Sequence, residues 1–457
     1  MGPTEHRRRV VSLALPVYGE LLAGVAAGII NMVWVAGLGG AAVAAVAAVA
    51  VATNVENVLL GVILMAGSGT TVLVARARGA GDPAAARSAV RGGWVLWALL
   101  TPVVAVGGYV GQERLARWVL GEDGGASVHL ATEYFAIALP GMAVYFATNV
   151  VDGILKGSGN TRTPMRLALL ANGLILVLDP VLILGCDLGV RGAAIATVTG
   201  RSVALICGLL VLRPSLRPSG LRARVLGADA RRTAATGLPM SADFVVRMTG
   251  TLALVAVVAR IGVDEVAAYG IATKATYVAT MAFYSVRQAA AIHTAHQLGA
   301  GRDERRAIRR EALLVAGTLG LTAAVLLLAA ASWIMRAFGA DGEVADAGTL
   351  YLRCLGPYLV LLACFIGVAG VYEGGGDSPA LARITVCGVA AQLGAAYALS
   401  GHGLPGICLA MACAVGLQCV ALTRVRGGRR TRRTPSRREG SGRVGGRRGS
   451  WSRVRGG

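Results

Sequence analysis

Twelve apolar stretches constrain this chain more than any other feature of its sequence. Each is close to the ~20 residues that an α-helix needs to cross a bilayer. A chain of 457 residues that is 55% hydrophobic and only 15% charged is also too apolar for a soluble protein. The sequence therefore predicts an all-α integral membrane protein with twelve transmembrane spans, at residues 12–36, 42–73, 92–111, 130–154, 165–185, 190–212, 236–259, 266–292, 312–335, 349–372, 381–400 and 404–423.

Positive charges are distributed unevenly between the loops. Most of the 45 Lys and Arg residues fall in the N-terminal arm, in the loops after even-numbered spans and in the C-terminal tail. Cytoplasmic loops are enriched in Lys and Arg, so we expect a multi-pass membrane protein with both termini in the cytoplasm. The net charge of +21 then follows from topology and does not indicate a specific nucleic-acid partner. Only five cationic residues fall in the opposite loops: Arg114, Arg117, Arg191, Arg260 and Arg336.

The chain contains an internal repeat. Leu13–Glu20 aligns with Thr236–Asp243, with a proline and an acid in register, and Gly79-Ala80-Gly81 recurs as Gly299-Ala300-Gly301. Later glycines also match: Gly153, Gly157 and Gly159 with Gly370, Gly374 and Gly376. Because each half has six spans, the halves have the same orientation, as in transporters that open a central cavity to either side.

The repeat predicts two pseudo-symmetric six-helix bundles around a central cavity. We assign the bundles to residues 1–212 and 236–424, joined by a cytoplasmic basic linker at 213–235. Residues 425–457 are rich in Arg and Gly, with almost no aliphatic residues, and are expected to be a disordered tail.

Span 5 carries an acid in an apolar run. A charged aspartate at the centre of a membrane helix costs ~2.5–3.5 kcal/mol, so Asp179 should face the bundle interior or a watered cavity. Asn172 lies on the same helical face. Pro180 removes a backbone donor directly after the acid and loosens the helix there. Such a polar spot is typical of a transporter's ion or substrate site.

Several motifs together resemble a known family. Leu13-Ala14-Leu15-Pro16, Gly79-Ala80-Gly81-Asp82, the Gly153–Thr161 segment, Leu178-Asp179-Pro180 and Gly237-Leu238-Pro239 resemble, in order and spacing, the multidrug and toxic compound extrusion (MATE) transporters. The Leu-Asp-Pro motif is similar to the DNA-damage-inducible branch. The resemblance covers about residues 10–424. It implies a secondary antiporter that exports organic cations or other amphipathic xenobiotics in exchange for H⁺ or Na⁺.

The same resemblance implies a place in a bacterial plasma membrane, a small-molecule substrate, surrounding membrane lipid and no cofactor beyond the coupling ion. It also implies cation coupling through the span 5 acid and an aspartate in span 1. Counting back from Gly39, the span 1 position is Asn31, and an amide cannot carry a proton. The coupling ion therefore stays open. The family also has a second asparagine in span 5, four residues before the aspartate, and this chain has Ile175 at that position.

Two other acids are candidates to replace the missing aspartate. Glu56 lies near the middle of span 2, and Glu20 lies in span 1 on the face of Asn31. We hypothesise that one of them joins Asp179 as the proton site, its pKa raised by burial. The alternative for Glu56 is a structural pairing with a donor on a neighbouring helix.

Span 8 carries a polar and aromatic stripe at helical spacing, formed by Tyr277, Met281, Tyr284 and Gln288. Such a face suits a flat amphipathic cation, although Lys274 on the same face opposes a cation unless it is paired. We predict a substrate cavity lined by this stripe, by Asp243 of span 7 and by Asn149 of span 4. The alternatives are that the tyrosines pack between helices, that Asp243 and Arg247 neutralise each other and that Asp152 and Lys156 form a helix-end pair.

Other functions find less support. A lipid-linked precursor flippase of the same wider superfamily would need a strongly cationic cavity. The charges within the spans are of both signs and do not decide strongly for this function. An enzyme is not expected, because the sequence has no HExxH motif, phosphate-binding loop or Ser/His/Asp set. His293 and His296 form a possible metal pair, but no third ligand lies nearby in the sequence, and a solvated helix end is the alternative. Nothing in the repeat requires a partner, so we expect a monomer.

Overall fold

The computed structural model describes residues 2–38, 42–120, 125–213 and 223–424, and these residues are almost entirely helical. The N-terminal half contains α1 (Pro3–Ala36), α2 (Ala42–Gly79), α3 (Pro83–Leu120), α4 (Gly125–Gly157), α5 (Arg162–Pro180) and α6 (Gly189–Leu212). The C-terminal half contains α7 (Ala223–Val258), α8 (Val263–Gly299), α9 (Arg305–Ala337), α10 (Gly342–Cys354), α11 (Gly356–Gly375), α12 (Ser378–Leu399) and α13 (Gly403–Arg424).

All twelve predicted spans fall on these helices, and the all-α membrane fold is confirmed. Only Leu355 separates α10 from α11, so the two helices form one span. Ten stretches of the described residues are long and apolar enough to cross a membrane, and the tenth, Ser378–Arg424, contains both α12 and α13. The helix α8 is long enough but more polar, and the charged Arg287 in its middle is buried by other helices.

The predicted linker is partly helical. Because α7 begins at Ala223, residues 223–235 form the first turns of this helix. Residues 214–222 of the linker lie outside the described residues. So do residues 39–41, which include Gly39, and the tail at 425–457.

The helix α5 changes geometry beside its acid. It ends at Pro180, and Val181–Gly185 continue as one π-helical turn. Proline cannot donate the usual backbone hydrogen bond, so a local change of hydrogen-bonding register is expected at this position. On α6, Gly192 lets the backbones approach, since a Cβ there would lie 2.7 Å from the Leu182 carbonyl. The predicted loosening next to Asp179 is therefore present.

Gly79 and Gly299, one of the glycine pairs of the repeat, lie where the two halves cross. A Cβ added at Gly79 of α2 would clash with the carbonyl oxygen of His296 in α8, and a Cβ at Gly299 would clash with that of Arg76. The two halves thus use matching positions for the same backbone contact. Only glycine permits helices to approach this closely.

Both described chain ends lie on one side of the bundle, which we call the terminal side. His6, near the start of α1, is hydrogen-bonded to His293, near the end of α8, at 2.9 Å. The Tyr372 hydroxyl of α11 donates to the carbonyl of Leu422, near the end of α13, at 2.7 Å. An even number of spans between the two ends requires this arrangement.

The halves are closed against each other on the terminal side. Arg7 of α1 pairs with Glu311 of α9 at 2.8 Å, and Arg76 of α2 donates to the Gly374 carbonyl of α11 at 3.0 Å. An apolar cluster joins the same helices across the interface: Val10, Leu13, Ala14, Val72, Ala75, Val286, Ala289, Ile292, Ala295 and Ala316.

We expect Gly79→Val to open this closure, because a valine side chain cannot fit against the His296 carbonyl. The measurement is disulfide cross-linking between Ala80→Cys and Ala300→Cys, which flank the crossing, in a background without the native cysteines. The cross-linked fraction should fall several-fold in Gly79→Val. Gly107→Val is the matched control, because a Cβ at Gly107 meets nothing within 4 Å. Equal cross-linking in the two variants would show that the crossing does not control closure.

Candidate cation-coupling site and substrate cavity

The structure brings Asn31 and Asp179 together. Asn31 lies near the end of α1, and its side-chain amide donates to Asp179 Oδ2 at 2.9 Å. Asp179 is 1% exposed, and its other oxygen, Oδ1, is buried with no hydrogen-bond partner in the described part of the chain. A buried carboxyl with one free oxygen can take up a cation or a proton without breaking its existing hydrogen bond.

Glu56 belongs to the same polar cluster. It is half-buried on α2, and the Tyr134 hydroxyl of α4 lies within hydrogen-bonding reach of its carboxylate. The buried Tyr134 ring is also close enough to Asp179 to interact with it electrostatically, and Arg201 of α6 lies near Glu56. The sequence analysis named neither Tyr134 nor Arg201 as a site residue. Arg201 could have been found, because a charged side chain within span 6 indicates a polar surrounding.

Glu20 has a different partner. Its Oε1 lies 2.7 Å from Nζ of Lys156 in α4, and both side chains are largely buried. Asp152 lies one turn before Lys156 and interacts electrostatically with both groups. The direct ion pair of Lys156 is therefore with Glu20, so the helix-end pair predicted for Asp152 is replaced by a contact between helices.

Asn172 is less closely involved. It is half-buried, two turns before Asp179 on α5. The described hydrogen bond to the Asp179 carboxylate comes from Asn31, and Asn172 is not a second donor in the described residues. Asn172 therefore lies near the site without contacting the acid in this conformation.

The C-terminal half contains a buried ion network. Arg287 of α8 lies 2.5 Å from both Asp243 of α7 and Glu373 of α11. Asp243 also accepts a hydrogen bond from the Thr385 hydroxyl and lies 3.3 Å from Arg247. With 1% exposure, Asp243 offers no surface to a substrate in this conformation. The sequence analysis considered that Arg247 neutralises Asp243. In the structure both Arg247 and Arg287 pair with this acid.

The repeat relates the two charge clusters. Asp243 occupies the repeat position of Glu20, and Glu373 occupies that of Lys156. The lysine of the first half is thus replaced by a glutamate in the second half. Arg287 matches Gly67 and supplies the missing positive charge. Each half thus holds a neutralised group of charges at the same place. The acid of span 5 has no counterpart, because the matching stretch of span 11, Leu393–Ala396, is apolar.

The predicted substrate-lining residues differ in accessibility. Tyr277 is 43% exposed and Lys274 is also exposed, whereas Tyr284 and Gln288 are half-buried and Met281 is buried. On the opposite half, Tyr145 is close enough to Tyr277 to interact electrostatically.

Residues near the two halves' interface support an open side away from the termini. Asn149 is half-buried against α2, where a Cβ at Gly67 would lie 2.7 Å from its Oδ1. Asn54 and Asn57, in the part of α2 farther from the termini, are exposed. Polar side chains avoid lipid and favour water, so this part of α2 is expected to face a watered space on the side opposite the closed terminal side.

The structure gives His293 a partner other than His296. His293 is buried and bonded to His6, and His6 Nε2 lies 3.3 Å from Glu304. No group of three or more His, Cys, Asp or Glu side chains in the described residues has an arrangement that could hold a metal ion.

Comparisons with known proteins agree with this architecture. The family model MatE matches residues 16–181 and 239–398, which is more than half of the chain. "Probable multidrug resistance protein NorM" of Thermotoga maritima is 25% identical over 391 residues, covering 82% of this chain and 81% of that protein. "DNA damage-inducible protein F" of Escherichia coli is 30% identical over 205 residues, covering 43% and 42%. This partial coverage leaves the branch within the family a prediction.

A solved structure has the same fold. It is the outward-facing conformation of a multidrug resistance MATE family transporter of the MOP superfamily, and it superposes with a TM-score of 0.82 at 22% identity. The superposition covers 91% of this chain and 94% of that one. The likeness of fold therefore extends over both halves of the chain.

Proposed function

Because this chain belongs to the MatE family of multidrug and toxic compound extrusion transporters, we propose that it exports amphipathic organic cations in exchange for protons, with Asp179 binding the coupling proton. The protein is a membrane transporter and not an enzyme. The observation that carries the proposal is the buried Asp179 carboxyl, held by Asn31 at 2.9 Å and with one oxygen free.

A proton fits this site better than a sodium ion does. Asn31 presents its amide nitrogen to Asp179, so its carbonyl oxygen is not directed at the acid. Hard cations need several oxygen ligands around them, whereas a proton needs only the carboxyl. Both ions were open from the sequence, and this arrangement favours H⁺.

Orientation follows from the arginine distribution. We place the terminal side in the cytoplasm of a bacterial cell, so that the closed face is cytoplasmic and the open cavity faces outward. A single chain contains both halves of the cavity, and we propose that it works as a monomer.

The flippase alternative is not favoured. A pyrophosphate-linked lipid would need a strongly cationic cavity. The polar clusters of the N-terminal half instead contain four acids, Asp179, Glu56, Glu20 and Asp152, against the two bases Lys156 and Arg201. Acidic groups favour a cationic substrate and disfavour a pyrophosphate.

The experiment that tests the function uses proteoliposomes loaded with a fluorescent organic cation and given H⁺ and Na⁺ gradients separately. We expect the H⁺ gradient to drive transport and a Na⁺ gradient of equal size to leave the rate at background. Transport driven by Na⁺ without a pH difference would contradict the choice of ion. Transport with neither gradient in an active preparation would contradict antiport.

Glu56 should support the proton site without being essential. We expect Glu56→Gln to lower the H⁺-driven rate roughly ten-fold, because Tyr134 connects its charge to Asp179, and one such interaction can change a protonation equilibrium by about one pKa unit. The measurement is the initial rate in the same vesicles. An unchanged rate, with an unchanged pH dependence, would assign Glu56 to structural pairing alone.

A further inference from the structure

A second cavity lies on the terminal side, apart from the proposed transport site. Its volume is about 400 Å³, and both halves line it. Arg8, Arg9 and Ser12 come from the first turns of α1, Ser158 comes from the turn after α4, and His293 and His296 come from the end of α8. The cavity exists in this form only while the start of α1 contacts the end of α8.

Positive charge converges on this cavity. Burial lowers the pKa of His293 to about 4, and nearby His6 and Arg9 act in the same direction, while burial and Arg9 also lower the pKa of His296. The positive charge is therefore that of Arg8 and Arg9. The Arg9 guanidinium lies 3.5 Å from where a Cβ would stand on Gly159, so it reaches the turn after α4. Glu5 is the one acid among the described residues that line the cavity.

The neighbouring acids are already engaged. Glu311 pairs with Arg7 at 2.8 Å, and Glu304 lies 3.3 Å from His6. Neither is among the residues that line the cavity. Glu5 is therefore the carboxylate that remains to offset Arg8 and Arg9 among the described lining residues, and the like charges of the two arginines repel each other.

Guanidinium, imidazole and hydroxyl donors converging on one cavity suit an anion with several acceptor oxygens. Arginine binds phosphate through two parallel hydrogen bonds, and serine hydroxyls add further donors. An acceptor-rich dianion would pair with Arg8 and Arg9 and could accept hydrogen bonds from the histidines.

We propose that this cavity binds a phosphate group and that binding stabilises the conformation closed on the terminal side. The phosphate belongs either to a soluble phosphate compound or to the headgroup of an anionic lipid, since the recognition chemistry is the same. Because both halves supply donors, the site is complete only when they are together, and a ligand shifts the equilibrium toward the conformation that it binds better. Phosphate binding would thus regulate how often the transporter opens to the terminal side. This inference does not depend on the identity of the coupling ion or the exported substrate.

The test compares three forms of the full chain in phosphatidylcholine nanodiscs: wild type, Arg8→Gln with Arg9→Gln, and Arg162→Gln with Arg166→Gln. The last is a matched control, because it removes two exposed arginines at the start of α5, on the same side, that do not line the cavity. Inorganic pyrophosphate is titrated calorimetrically. In parallel, the cross-linked fraction of Ala80→Cys with Ala300→Cys is measured with and without pyrophosphate, and with phosphatidylglycerol replacing part of the phosphatidylcholine.

We expect pyrophosphate or phosphatidylglycerol to raise the cross-linked fraction in wild type and in the control. In the Arg8→Gln/Arg9→Gln form the response should weaken roughly ten-fold or more, as expected for the loss of two charges near a phosphate. A response to pyrophosphate identifies a soluble ligand, and a response to phosphatidylglycerol alone identifies a lipid headgroup. No response to either, or an equal loss in the control form, overturns the proposal. Size-exclusion profiles of all three forms exclude misfolding as the cause of a lost response.

Discussion

Asp179→Asn should reduce H⁺-driven export in proteoliposomes to the rate of protein-free vesicles, the largest functional effect expected of any single substitution in this chain. The side chains have nearly the same size, and Asn31 can still hydrogen-bond to the amide oxygen that replaces Asp179 Oδ2. The fold should therefore persist, whereas an amide cannot take up and release a proton. Nothing in the second half substitutes for the acid, because the matching stretch of span 11 is apolar.

Asp187→Asn is the matched control for this substitution. It removes the same charge a few residues later, at an exposed position beyond the π-helical turn. Its backbone has a positive φ of 55°, which asparagine also tolerates. The control should transport at the wild-type rate. Full H⁺-driven export by Asp179→Asn would remove Asp179 from the coupling mechanism.

Arg287→Met should be the most destabilising single substitution in the C-terminal half. Arg287 lies 2.5 Å from both Asp243 and Glu373, and all three side chains are buried. Its removal leaves two carboxylates close together in a low-dielectric interior. Breaking a buried ion pair from one side typically costs ~3–5 kcal/mol. We expect a clearly lower unfolding temperature in detergent, measured by the loss of helical circular dichroism on heating.

Two further variants separate lost charge from lost packing. Arg383→Met removes an exposed arginine of α12 whose described side-chain hydrogen bond is to the Pro379 carbonyl, and it should change the unfolding temperature little. A quadruple variant, Arg287→Met and Arg247→Met with Asp243→Leu and Glu373→Leu, removes the whole network and should recover much of the loss, because no charge then stays buried without a partner. If Arg287→Met unfolds at the same temperature as Arg383→Met, the network does not hold these helices together.

The sequence predicted the elements whose physics is local or imposed by the bilayer. Twelve spans follow from the thickness of the hydrocarbon core, and all of them are helices in the structure. The glycines of the repeat could be recognised because matching backbone contacts need the smallest residue at matching places, as Gly79 and Gly299 show. The family spacing selected Asn31 and Asp179, which are hydrogen-bonded although they lie 148 residues apart.

Partners on other helices could not be predicted in the same way. Lys156 was paired with Asp152 because the two are four residues apart, but its short contact is with Glu20, 136 residues away. Arg287 and Glu373 come to Asp243 from α8 and α11, and no periodicity within one helix indicates that meeting. His6 likewise finds His293 only through the packing of α1 against α8. Helix spacing determines which face a residue occupies, and tertiary packing determines what that face meets.

Proton release on substrate binding tests the central claim most directly. Purified protein in weakly buffered detergent solution is mixed with a saturating organic cation near neutral pH, and the change in pH is recorded. The account predicts that wild type and Asp187→Asn release protons when they bind substrate and that Asp179→Asn binds the substrate but releases none. Equal proton release by Asp179→Asn would show that another group couples transport to the proton gradient.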